Sequence, residues 1–178
     1  MFILIIFYQF PAFFFLAQYN LLSTIYLSYI VNTVNRSLIL PYSCAEMYSL
    51  VDKIDRYQEF LPWCYDSVVL ERKPLEVTAR VDVSFNGIKM SFTTCNTSIS
   101  DTEIKMELVD GPFDDWAGSW KFTELDESAC RVALELKFSL VGKLKNRTLG
   151  PVLKHISNTL VDAFAERAKE LYGERKLV

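Results

Sequence analysis

The sequence predicts an α+β domain: seven antiparallel strands in one curved sheet, a long C-terminal helix against its concave face, and two short helices after the first strand. Three observations predict it. Apolar and polar residues alternate with a period of two in successive segments up to Phe138, the period becomes helical from Asn146 to Tyr172, and Asn86-Gly87 marks a tight hairpin between two alternating runs. With 178 residues, 51% of them hydrophobic and 14% aromatic, the chain can bury one sizeable core.

The first strand is read at Val34 to Leu40 and stops at Pro41, which supplies no ladder donor. Ser43 is placed to cap a helix, Glu46 follows at capping-box spacing, and Met47, Leu50, Val51 and Ile54 recur at helical intervals. That helix is expected to reach about Lys53, and a second helical turn carries Tyr57 and Phe60 up to Pro62. Ser67 to Arg72 supplies the second strand. In the third, Val77, Ala79, Val81, Val83 and Phe85 alternate with Thr78, Arg80, Asp82 and Ser84, so one face is buried and the other wet. Asn86-Gly87 turns the chain because both central residues of a type I′ turn need positive φ. Met90 and Phe92 resume the apolar face, a polar turn follows at Ser98 to Thr102, and Ile104, Met106 and Leu108 make the next strand. Gly111-Pro112 punctuates again, with Asp114-Asp115 read as a solvated turn before Trp116. Trp116, Gly118, Trp120 and Phe122 form the sixth alternating set, and Val132, Leu134, Leu136 and Phe138 the seventh. On the long helix Leu149, Val152, Leu153, Ile156, Leu160, Phe164, Ala168 and Leu171 share a stripe, with Lys154, Asn158, Asp162, Glu166 and Lys169 mostly opposite. Pro151 is tolerable only near its start, and Gly173 is placed to end it.

The apolar excess is uneven. No Asp, Glu, Lys, Arg or His occurs from Met1 to Asn35. This run is long enough to cross a bilayer, for which about 20 apolar residues suffice. A secretory signal would need a positive start and a small-residue cleavage site, and neither is visible. A membrane anchor competes with a third reading, that the segment is translated upstream DNA, because its Phe, Ile, Tyr, Leu and Asn bias is what AT-rich DNA encodes in frame. The third is preferred, with initiation at Val31 or Val34; Pro11, Gln9, Gln18, Asn20, Ser23 and Ser28 count against an anchor. The expected division is an uncharged extension over 1–30 and one domain over 31–178.

A formal net charge of -3 lacks the basic field of a general nucleic-acid binder, so any RNA contact needs a local patch. Cys44, Cys64, Cys95 and Cys130 are far apart with no C-x-x-C pair, which suggests neither a zinc site nor a dense disulfide framework; an even count leaves two disulfides formally open, and buried free thiols in the reducing cytosol are the preferred reading.

Several segments carry a family likeness: Pro41 to Val51, the cluster Tyr57, Phe60, Leu61, Pro62, Trp63 and Cys64, the run Leu108 to Phe113, the strand Trp120, Lys121 and Phe122, and the ending Ala163 to Tyr172. On these the domain from Val31 to Gly173 resembles the coenzyme Q-binding START proteins, including their bacterial branch of ribosome-association toxins. Gln58 departs from the pattern, which usually has proline after the tyrosine. The resemblance implies a helix-grip fold whose cavity holds ubiquinone or a similar polyprenyl lipid in support of respiration, without an enzymatic step or a catalytic cofactor. It implies a cytoplasmic monomer that touches the inner membrane transiently to exchange its ligand. For the bacterial branch it implies binding to the large ribosomal subunit that blocks subunit joining. Ubiquinone binding is the first expectation and the ribosomal role the alternative.

A quinone site needs an apolar enclosure with a few polar groups to orient the head. Phe60, Leu61 and Trp63 are expected to cover the entrance, and Val81, Met90, Phe92, Met106, Trp116, Trp120, Phe122, Phe138, Ile156, Leu160 and Phe164 to line the space. The plainer alternative is that these side chains only pack one another; the two methionines favour an adaptable cavity. His155 is the one histidine and has no partner assignable from sequence, so it reads as a surface residue rather than a general base. No metal site is expected from so few groupable ligands. An enzymatic version of the fold, as in aromatic polyketide cyclases, is a further alternative. For the ribosome the relevant residues are Lys143, Lys145, Arg147 and Lys154, a basic cluster leading into the long helix, whose plainer reading is a solvated face.

Overall fold

A computed structural model describes residues 32–99, 102–140 and 149–177. The expected extension over 1–30, and Lys143, Lys145 and Arg147, lie outside the described residues. The elements run β1 (Asn32–Leu40), α1 (Cys44–Asp52), a 3₁₀ helix (Ile54–Glu59), β2 (Cys64–Arg72), β3 (Glu76–Phe85), β4 (Ile88–Ile99), β5 (Glu103–Asp110), β6 (Phe113–Asp126), β7 (Ala129–Leu140) and α2 (Leu149–Tyr172). All seven strands join one antiparallel sheet in the order β1-β7-β6-β5-β4-β3-β2, so β2 to β7 form a meander and β1 returns to the edge of β7. Register breaks in β2–β3, β4–β5 and β6–β7 bend the sheet.

Local chemistry explains the element ends. The Ser43 N–H donates to Glu46 Oε2 at 2.9 Å while the Glu46 N–H donates to Ser43 Oγ at 3.2 Å, the reciprocal pair that starts α1. Asn86 and Gly87 have φ of 49° and 80°, the double positive-φ signature of the predicted turn. Gly173, at φ 84°, ends α2, and its N–H donates to the Lys169 carbonyl at 3.0 Å.

Two expectations need correction. Asp114 and Asp115 are exposed strand residues rather than a turn, because β6 begins at Phe113; the register shift between Phe113 and Asp115 breaks the alternation that would have revealed it. Leu171, expected on the buried stripe of α2, is exposed, and Tyr172 packs on Tyr42 instead, with ring centroids 6.0 Å apart. Of that stripe Val152, Leu153, Ile156, Phe164 and Ala168 are in the core and Leu160 is half-buried, and Val161, not expected on it, is buried as well. Arg36 on β1 pairs with Asp162 on α2 at 3.1 Å. The four cysteines are free thiols; those of Cys44 and Cys130 approach to 2.9 Å, and burial pushes the Cys64 thiol up to about 11. Among the described residues no helix is long and apolar enough to cross a membrane.

Candidate functional site

The sheet and α2 bound a partly open cavity of about 90 Å³. Its wall is built from inward rows of the strands: Val81 and Val83 on β3, Phe92, Thr94 and Asn96 on β4, Met106 on β5, Phe113, Trp116 and Trp120 on β6, and Leu134 and Leu136 on β7. Leu153, Ile156, Ser157, Leu160 and Phe164 close it from α2, and Ile54, Tyr57 and Trp63 from the 3₁₀ helix and the loop beyond. All three tryptophans of the chain therefore touch this space.

Two groups of rings shape it. Phe164, fully buried, meets Tyr57, Phe60 and Trp120 edge-on at centroid distances of 5.3, 5.1 and 5.1 Å. Phe113 meets Phe92 at 5.9 Å, Trp116 at 6.5 Å and Phe138 at 6.1 Å. Trp116 and Trp120, four residues apart on β6, assign one indole to each group; such contacts fix ring orientation beyond what area burial alone would do.

Of the residues expected from sequence, Trp63, Val81, Phe92, Met106, Trp116, Trp120, Ile156, Leu160 and Phe164 lie in the wall. Phe60, Leu61, Met90, Phe122 and Phe138 do not. Phe60 stands behind Phe164 with the Arg167 guanidinium 5.5 Å from its ring centroid, and Leu61 is buried in the loop. Met90 pairs with Val83 beside the hairpin, Phe122 packs on Tyr48 of α1 at 5.6 Å, and Phe138 lies behind Phe113. Facing inward is not enough to line a cavity, because most of the concave face is filled by helix and ring contacts.

The wall also holds polar residues that sequence reasoning passed over. Thr94 and Asn96 continue the inward row of Phe92, and Ser157 faces them from α2 within the buried part of the helix. Asn96 Oδ1 is buried and has no hydrogen-bond partner. A polar residue at every second position of a run that began apolar was the signal. Tyr57 donates its hydroxyl to the Val51 carbonyl at 2.6 Å, and burial, with Asp52 nearby, holds its phenol protonated far above the ordinary range. None of the wall residues described is charged. His155 and Lys154 are exposed on α2, His155 stacked on Phe85 at 5.0 Å.

A curved antiparallel sheet gripping one long helix around an apolar cavity defines a helix-grip domain of the START type. The chain belongs to the polyketide cyclase / dehydrase and lipid transport family, which it matches over residues 40–165. It is 44% identical over 142 residues to the ribosome association toxin RatA of Escherichia coli, covering 80% of this chain and 90% of that protein. It is 25% identical over 140 residues to the mitochondrial coenzyme Q-binding protein coq10 of Schizosaccharomyces pombe, covering 75% of this chain and 84% of the other. The crystal structure of the Zhui aromatase/cyclase from a Streptomyces species superposes with a TM-score of 0.71 at 14% identity, over 79% of this chain and 95% of that one, which shows the shared fold.

Proposed function

We infer that this protein binds a hydrophobic ligand of the ubiquinone type in the cavity under α2, without transforming it, and supports respiratory electron transport as a lipid chaperone. The observation that carries this reading is the wall itself: apolar and aromatic, free of charge among the described residues, and interrupted by a small polar group. It offers a quinone a place to lie and offers a reaction no carboxylate or imidazole from the residues described. The relative named for coenzyme Q binding supports the same ligand class. At about 90 Å³ the cavity, which is partly open to the outside, is smaller than the roughly 150 Å³ that accepts one benzene ring. Ligand uptake therefore widens it, and Met106, unbranched and adaptable, is the wall residue suited to give way.

Ubiquinone is expected to quench the tryptophan emission, because all three indoles border the cavity. Phe164→Asp should abolish the quenching, since an unpaired charge in an apolar wall costs several kcal/mol. Circular dichroism must show the fold retained. Phe164→Ala, at a loss of about 3–5 kcal/mol of stability, should weaken binding, and Leu160→Asp places the charge at a half-buried wall position where folding is less affected. Undiminished quenching in a folded charged variant sinks the enclosed-ligand reading.

A second reading, association with the large ribosomal subunit to block subunit joining, is favoured by the 44% identity to RatA over nearly its whole length. The basic residues Lys143, Lys145, Arg147 and Lys154 are the proposed contact.

A further inference from the structure

We propose that Asn96 is the hydrogen-bonding anchor of the cavity and that it selects ligands with a neutral, oxygen-bearing ring as head group. This rests on the reading that the cavity holds a hydrophobic ligand. Asn96 sits on β4, three residues before its end at Ile99, between Val77 on β3 and Met106 on β5, at a position whose register sends its side chain into the cavity wall. Only 8% of the residue is exposed, and its Oδ1 has no partner. An amide buried in this way stands against the rule that interior polar groups are satisfied, and of the unmet buried polar atoms among the described residues it is the one that borders the cavity.

The surroundings narrow what that something is. No charged side chain among the described residues lines the wall, so a carboxylate or phosphate head would be buried without a counter-charge, at a cost binding does not recover. A plain hydrocarbon would leave the amide as it is. The unmet atom is the acceptor oxygen, so a ring hydroxyl meets it by donating, whereas a ring carbonyl would have to turn to the NH₂ of the same amide. The rings of Phe92, Trp116 and Trp120 on the same wall supply flat faces for a ring beside it. Neutral head, ring shape and a hydrogen-bonding oxygen follow together.

The test uses the whole protein and a matched pair of probes, 4-butylphenol and butylbenzene, which differ by one hydroxyl, with Asn96→Leu as the variant of similar size. Calorimetry should show that the substitution lowers the affinity ratio of phenol to hydrocarbon about tenfold, one charge-free hydrogen bond to an otherwise unmet partner, while butylbenzene binding is unchanged or tighter. Without ligand, Asn96→Leu should melt higher by about 2–4 °C, because it removes an unmet polar group. Equal weakening of both probes, or a lower melting temperature without ligand, would mean that the amide serves the fold and would overturn the assignment. An unchanged ratio would mean that water alone meets Asn96, and would overturn it too. If neither probe binds the parent protein, the cavity reading has failed before the question of its anchor arises.

Discussion

Gly118 has only a hydrogen for a side chain because two wall residues crowd it from either side. A Cβ built there would lie 2.5 Å from Leu136 Cδ2, 2.8 Å from Met106 Cε and 3.2 Å from the Glu135 carbonyl oxygen. The two side-chain ends can swing, but the carbonyl belongs to the β7 ladder and cannot. Gly118 is thus the place where β6 lets its neighbouring strands bring Met106 and Leu136 together below the cavity. Gly118→Ala is expected to cost about 1–3 kcal/mol, as overpacked interiors do, seen as a lower melting temperature by circular dichroism. Because the space into which Met106 and Leu136 can retreat is the cavity, ubiquinone quenching should weaken in the same variant. A variant with the stability and the quenching of the parent would show that this wall is looser than the structure has it.

At the scale of elements, one carboxylate ties α1 to the segment just past α2. Glu46 closes the capping box with Ser43 and also receives both Arg175 guanidinium nitrogens, Nη1 on Oε2 and Nη2 on Oε1, each at 2.9 Å. Tyr42 and Tyr172 add bonds from their hydroxyls to the Gly173 and Glu46 carbonyls. The Arg175 hydrogen bond, helped by Ser43, holds the Glu46 carboxyl below its ordinary value of 4.5. A carboxylate lowered in the folded state contributes stability at pH above that ordinary value, and the contribution is lost as pH falls through the lowered one. Glu46→Gln keeps a cap-closing amide oxygen but loses the ion pair, and should therefore destabilise by up to about 1 kcal/mol at neutral pH, with the difference from the parent shrinking below pH 4.5. A difference that persists unchanged into acid would assign the effect to packing instead. Capping boxes, the Asn86-Gly87 turn and Gly173 were legible in the sequence because each is decided by neighbours within a few residues. Positions decided by tertiary packing were not. The bulge after Phe113 hid the start of β6, the polar row of Thr94 and Asn96 was passed over because an inward strand row is expected to be apolar, and Tyr57 and Ile54 reach the wall through the orientation of a 3₁₀ helix that periodicity does not give.

At the scale of the molecule, the two proposed roles draw on different parts of the chain, and that makes them separable. The cavity lies inside the sheet and depends on apolar contact, whereas contact with ribosomal RNA depends on cationic side chains, since the chain as a whole carries a formal charge of -3 and repels phosphate. Lys143, Lys145 and Arg147 precede α2, and Lys154 is exposed on its second turn, opposite the stripe that closes the cavity. If these residues make about three phosphate contacts, each releases counterions, and raising salt from 50 to 200 mM should weaken co-sedimentation with large ribosomal subunits roughly 20–40-fold. Replacing Lys143, Lys145 and Arg147 together by glutamate should weaken it as strongly at low salt and flatten the remaining salt dependence. The same triple variant should keep ubiquinone quenching, and Phe164→Ala, if folded, should keep ribosome binding while its quenching weakens. Co-sedimentation that ignores both salt and charge reversal removes the basic cluster from the ribosomal reading. Loss of both activities in both variants would instead mean that ligand and ribosome compete for one state of α2, and the picture of two independent sites would fall.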